Sequence, residues 1–124
     1  MTTKELQNRT IDFACRIIKF VEVFPRTKPA EVIAKQLIRS ACSVGANYRA
    51  ACRAQSYVHF ISKINIVEEE ADESQYWIEL SIKAELVTSQ AALPLLNESK
   101  ELTAIFTATR KTARLNYQKN KKSS

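Results

Sequence analysis

The stretch AEVIAKQLIRSACSVGANYRAACRA, running from Ala30 to Ala54, decides the fold. Within it Ile33, Leu37, Ala41, Val44, Tyr48 and Ala51 recur at spacings of three and four, the pattern of one buried face on an α-helix. Strands alternate with a period of two and seldom exceed about ten residues, so no sheet accounts for it. Upstream, Pro25 and Pro29 bracket Arg26-Thr27-Lys28 as a short loop, and Pro29 falls just before the helix, where a proline is tolerated.

The same periodicity extends outward in both directions. A first helix is predicted from about Thr3 to Phe24, with Leu6, Phe13, Ile17, Phe20 and Phe24 on one face. Ser56 reads as the N-cap of a third helix from about Tyr57 to Val87, whose core row is Phe60, Ile64, Val67, Ala71, Ile78 and Ile82. Thr88 to Leu93 reads as a connection. Pro94 then opens a fourth helix that runs to about Tyr117 through Leu95, Leu102, Ile105, Phe106 and Ala113. Short connections make sequential helices antiparallel neighbours. The expected fold is all-α: an up-down-up-down antiparallel four-helix bundle over residues 1–118, followed by a basic, disordered tail over 119–124.

Composition agrees. The 124 residues contain 1 Gly and 3 Pro, where average usage gives about 8 and about 6. Hairpin-rich folds need turn residues at short intervals, and phosphate-cradling loops need several glycines; both are excluded. Apolar content of 45% with 26% charged residues fits a packed domain. The 3 cysteines, Cys15, Cys42 and Cys52, have no C-x-x-C spacing and are expected to pack as small hydrophobes in a reduced, intracellular protein. Lys4, Glu5, Arg9, Asp12 and Arg16 interrupt any leader-like apolar run, and no segment approaches the ~20 apolar residues of a membrane span. A cytoplasmic setting without membrane contact follows as the expectation.

The net charge of +6 is unevenly placed. From Arg110 onward the chain carries Arg110, Lys111, Arg114, Lys119, Lys121 and Lys122 and no acid. On the second helix, Lys35, Arg39, Arg49 and Arg53 fall along one line opposite the core face. Such a row either binds phosphates or pairs with an acidic neighbour, and Glu68, Glu69, Glu70, Asp72 and Glu73 on the third helix offer one. The third helix also carries a second apolar stripe of Ile66, Trp77, Leu80 and Ala84, with Tyr76 alongside. A monomeric bundle helix needs one stripe, and Trp and Tyr are enriched at subunit interfaces. Ile66, Tyr76, Trp77 and Leu80 are therefore candidates for an oligomer interface. Mid-helix Ser43, Gly45 and Ala46 suggest close packing or close approach of a partner, since Gly costs about 1 kcal/mol relative to Ala there. Asn47 is placed to hydrogen-bond to a neighbouring helix.

Catalytic chemistry finds no footing. Glu70 and Glu73 have the spacing of a di-iron motif, but no histidine stands where one is needed. His59, the single histidine, is near Cys52 only across the short turn, with no orienting partner. No catalytic residue, metal site or cofactor is expected, and the chain reads as a non-enzyme.

The run Arg39-Ser40-Ala41-Cys42-Ser43-Val44-Gly45-Ala46-Asn47-Tyr48-Arg49, continued by Ala50 to Ser56, by Phe60-Ile61-Ser62-Lys63 and by Val67 to Leu80, resembles the signature of a bacterial family. This is the four-helix bundle protein family, also called 23S rRNA intervening-sequence proteins, whose founding members are encoded within insertions in the large-subunit ribosomal RNA gene. The resemblance covers about residues 37–86 and implies a bundle that assembles as a homopentamer. A more distant relative, the accessory protein of diversity-generating retroelements, is a basic pentamer that binds nucleic acid and a reverse transcriptase. Many relatives carry Asn-Ile-Ala-Glu-Gly where this chain has Asn47-Tyr48-Arg49-Ala50-Ala51, so the surface here is more basic. The expected function is a non-enzymatic homo-oligomer that binds RNA or DNA through Lys35, Arg39, Arg49, Arg53, Arg110, Lys111 and Arg114. The alternative is a structural or adaptor oligomer with a protein partner.

Overall fold

Four helices and a single 3₁₀ turn make up the computed structural model, which describes residues 1–123. Helix α1 spans Thr3–Phe20 and is followed by the 3₁₀ turn Val21–Val23; α2 spans Lys28–Cys52, α3 Tyr57–Lys83 and α4 Ser89–Ser123. Each helix starts on a hydroxyl that accepts a backbone N–H otherwise lacking a partner. Thr2 caps α1 at 3.1 Å from Glu5 N, and the Glu5 carboxylate accepts in return from Thr2 N. Thr27, Ser56 and Thr88 accept from Ala30, His59 and Ala91 N at 3.4, 3.1 and 3.1 Å.

Several ends differ from the sequence reading. Helix α1 gives way to the 3₁₀ turn after Phe20 instead of reaching Phe24, α2 runs from Lys28 to Cys52 instead of Ala30 to Ala54, and α3 and α4 differ more. Helix α4 starts at Ser89, ahead of Pro94, because Thr88 supplies the cap. Pro94 sits inside the helix on an exposed position and forfeits the bond its N–H would have made to the Gln90 carbonyl. Helix α3 stops at Lys83, short of Val87. Glu85 adopts φ 59°, the left-handed conformation that glycine usually supplies after a helix. Glu85 N donates to Ile82 O at 3.0 Å and Leu86 N to Ser81 O at 2.9 Å, closing the last turn. At its far end α4 continues beyond Tyr117 through Ser123; Ser124, the last residue of the expected tail, lies outside the described residues.

The predicted faces form the core. Phe13, Ile17, Leu37, Val44, Ile64, Val67, Ile78, Leu102 and Phe106 are fully buried. Tyr48 of α2 lies against Phe106 of α4 with ring centroids 5.3 Å apart. Contacts between α3 and α4 run in opposite chain directions. Glu68 of α3 meets Thr107 and Arg110 of α4, while Tyr57, earlier in α3, meets Tyr117, later in α4.

What the periodicity did not reveal is a set of buried hydroxyls. Thr10, Ser40, Ser74, Ser81 and Ser99 are the buried polar residues, at most 1% exposed. Each lies within hydrogen-bond reach of its own helix's backbone: Thr10 donates to Gln7 O, Ser81 to Trp77 O and Ser99 to Leu96 O, all at 2.7 Å. Ser74 Oγ reaches Ser40 Oγ at 2.9 Å across the α2–α3 seam, with the Leu37 and Glu70 carbonyls at 3.1 and 2.8 Å. These groups are small and satisfied, so backbones approach closely without stranding a donor. Gly45 shows the same requirement, since a Cβ there would stand 3.0 Å from Thr10 Oγ1. Close helix packing therefore accounts for the mid-helix glycine.

The left-handed residue after α3 provides a test. Glu85→Gly relieves the steric cost of a side chain at positive φ, about 1 kcal/mol. Its denaturant midpoint should rise with the slope unchanged, whereas Glu85→Ala should bring no comparable gain.

Candidate nucleic-acid interface

The four-residue basic row on α2 divides between two surroundings. Lys35 is exposed. Arg39 turns to α3, where it forms ion pairs with Glu70 at 3.1 Å and with Glu73. Burial holds the Glu70 carboxyl above its ordinary value, against the pull of Arg39. Arg39 thus takes the charge-pairing alternative. Arg49 and Arg53 instead line a groove of about 500 Å³ between α1 and α2, together with Lys4, Gln7 and Asn8. No acidic residue lines this groove, and among the described residues neither arginine forms an ion pair.

The cations of α4 divide in the same way. Arg110 donates to Glu68 from Nε at 2.6 Å and from Nη2 at 3.3 Å. The Arg110 guanidinium, helped by the Thr107 hydroxyl, holds the Glu68 carboxyl below its usual range. Arg114 donates to Asn65 Oδ1 at 3.4 Å, and Lys111 is exposed. The fold gathers the basic segments at one end of the bundle. There Tyr48 near the end of α2 has its hydroxyl beside Cys52 and Thr3, and burial pushes this phenol up to about 12. Tyr57 at the start of α3 packs on Tyr117 of α4, with centroids 6.3 Å apart. Residues 46–63 and 110–122, which meet at this end, contain Lys and Arg but no Asp or Glu. Cations here also suit the carbonyl-rich C-terminal ends of α2 and α4.

A second groove, of about 860 Å³, opens on the other side of the α2–α3 turn. Its walls are the turn and first residues of α3 on one side and α4 on the other. Tyr57, Phe60 and Ile105 give it an apolar lining, Gln55 and Asn116 contribute amides, and no charged residue lines it. The groove was not legible beforehand, because its parts are more than forty positions apart in the chain.

With this geometry in hand, comparison with known proteins places the chain. The sequence profile of the family described as 23S rRNA-intervening sequence protein matches residues 3–108. The chain belongs to that family. It is also similar to a crystal structure, solved at 1.70 Å, of a protein of unknown function from the S23 ribosomal protein family of Bacteroides thetaiotaomicron VPI-5482. The two share 35% identity over 85% of this chain and 97% of that one, with a TM-score of 0.78. No curated protein matches the sequence.

In this member of the 23S rRNA-intervening sequence protein family the candidate interface residues sit mostly half-buried. Ile66, Trp77 and Leu80 are partly covered, and Tyr76 is 55% exposed and stacked edge-on against Trp77 at 5.0 Å. Trp77 Nε1 is the one buried side-chain polar atom without a hydrogen-bond partner among the described residues. Asn47 does not bridge helices as expected; its amide donates to Ser43 O of its own helix at 2.9 Å. The cysteines also depart from expectation. All three are exposed and free, because the close seams are filled by Ser, Ala and Gly instead. His59 is exposed. Among the described residues no cluster of three His, Cys, Asp or Glu is arranged for a metal, and no helix is long and apolar enough to cross a membrane.

The Glu68–Arg110 pair generates a pH dependence. A carboxyl held below its usual 4.5 stabilises the fold above that pH, and the contribution is lost as pH falls through the lowered value. Wild type should therefore be more stable than Glu68→Gln at pH 7. Denaturant melts down a pH series should show that gap closing below about 4.5.

Proposed function

We propose that this chain is a non-enzymatic, homo-oligomeric bundle protein that binds RNA through phosphate contacts at its basic end. The observation that carries this reading is the groove between α1 and α2 whose cations, Lys4, Arg49 and Arg53, are set against no carboxylate, at the same end of the bundle as the acid-free segment 110–122 of α4. Phosphate recognition needs such charge, left unspent on intramolecular pairs. We take the interface as Lys4, Arg49 and Arg53 with Lys111 and Arg114, because Arg39 and Arg110 are engaged in ion pairs and Lys35 lies about four turns of α2 away from Arg49. The opposed contacts between α3 and α4 support an up-down-up-down arrangement. Tyr76 and the partnerless Trp77 Nε1 support an assembly, five copies being what the family resemblance implies. Oligomerisation would repeat the basic end around the assembly, so weak contacts per copy add through avidity.

A salt titration of binding to a structured RNA tests the reading. Affinity should fall by roughly 0.7–0.9 log units per log unit of salt for each phosphate neutralised. Arg49→Glu with Arg53→Glu should weaken binding and flatten that slope, while Lys35→Ala should leave both near wild type. Absence of binding at low salt would favour the adaptor reading, in which the exposed Tyr76 surface meets a protein.

Assembly has its own measurement. Light scattering at micromolar concentration should give several times the 14.1 kDa of one chain. A clean monomer would refute the assembly.

A further inference from the structure

We infer that the 860 Å³ groove beside the basic end receives an unpaired nucleobase of a bound RNA strand. This rests on the RNA reading and adds to it the form of RNA and a residue-level contact.

The placement comes first. The α2–α3 turn separates the two grooves. Arg53 lines the cationic groove, and the next residue, Ala54, already lines the uncharged one. Across the uncharged groove, Thr112, Ala113 and Asn116 of α4 form the wall, while Arg114 turns to Asn65 of α3. The pocket thus abuts the cationic groove at Arg53 and contains no carboxylate to repel a phosphate. A strand crossing the turn has positive charge for its backbone beside the pocket and neutral surface within it.

Lining chemistry selects the occupant. Tyr57 is 42% exposed and offers a ring on which a base can stack; Phe60 deepens the apolar floor. Gln55 and Asn116 carry both a donor and an acceptor, the combination that matches the hydrogen-bonding edges of bases. The volume falls within the range of pockets that bury small ligands, about 300–1,000 Å³. Bases within a duplex are stacked and turned inward, so only a loop, bulge or single strand could supply one. The basic row of α2 contains no aromatic residue, and phosphate contacts alone would leave RNA form unread. The adjacent pocket adds the missing element.

Binding of the full-length protein to three RNAs of equal length tests this: a single strand, the same strand made abasic, and its duplex. Wild type should prefer the single strand. Tyr57→Ala should cost it about tenfold or more, and Asn116→Ala a smaller amount, with little change for the abasic strand or the duplex. A single strand carrying 4-thiouridine should crosslink wild type within residues 54–60 or 105–116, which keeps the inference testable should Tyr57→Ala misfold. Equal affinity for single strand and duplex, or crosslinks only around Arg49, would overturn the pocket and leave the phosphate reading intact. If Tyr57→Ala shifts the mass on light scattering but not RNA affinity, a second copy covers the groove and the inference fails. No binding of any RNA at low salt removes the RNA reading itself.

Discussion

The constraint on which this molecule depends is the close seating of α2 on its neighbours. Gly45 admits Thr10 of α1, Ser40 meets Ser74 of α3, and Tyr48 lies on Phe106 of α4. None of these contacts tolerates much change in size. A larger residue at Gly45 must displace a buried threonine whose hydroxyl is already committed to Gln7 O. The hydroxyls let the helices approach without leaving donors unmatched, and they fix where the grooves between helices open. The cationic groove opens beside the close Thr10–Gly45 contact, and Ile11 and Ile18 on its wall stay 56% and 44% exposed.

Much of this was legible in the residues. Spacings of three and four located the buried rows of all four helices, from Phe13 and Ile17 to Leu102 and Phe106. Apolar periodicity reports burial directly, so that success is expected. Helix ends were harder. Pro94 reads as a first-turn proline and so masks the Thr88 cap, and nothing in the sequence marks Glu85 as a residue at positive φ. The buried serines escaped because a hydroxyl bonded to its own helix carries no periodic apolar signal.

The candidate site was legible only in part. Helical geometry correctly put Arg39, Arg49 and Arg53 on a surface away from the core, but angle alone does not say which neighbour each one faces. About three turns along α2 separate Arg39, which meets Glu70, from Arg49, which lines an acid-free groove. Arg110 shows the same limit, since Glu68 lies on another helix forty-two positions away. Charge in a sequence counts residues, whereas an interface depends on which charges stay unspent after folding.

One consequence follows from the length of α4. At about 1.5 Å per residue its 35 residues span about 52 Å, against about 40 Å for the 27 residues of α3. Because Tyr117 already sits level with the first residue of α3, the turns that follow project past the body of the bundle. Ions at physiological strength mute a surface charge within about 8 Å. The six residues from Gln118 to Ser123 rise about 9 Å along the axis, so Lys119, Lys121 and Lys122 stand up to about one screening length out from the body, where their charge is only partly muted. Under the proposed RNA reading, those lysines would bear on how fast a strand is caught, and the grooves beneath on how long it stays.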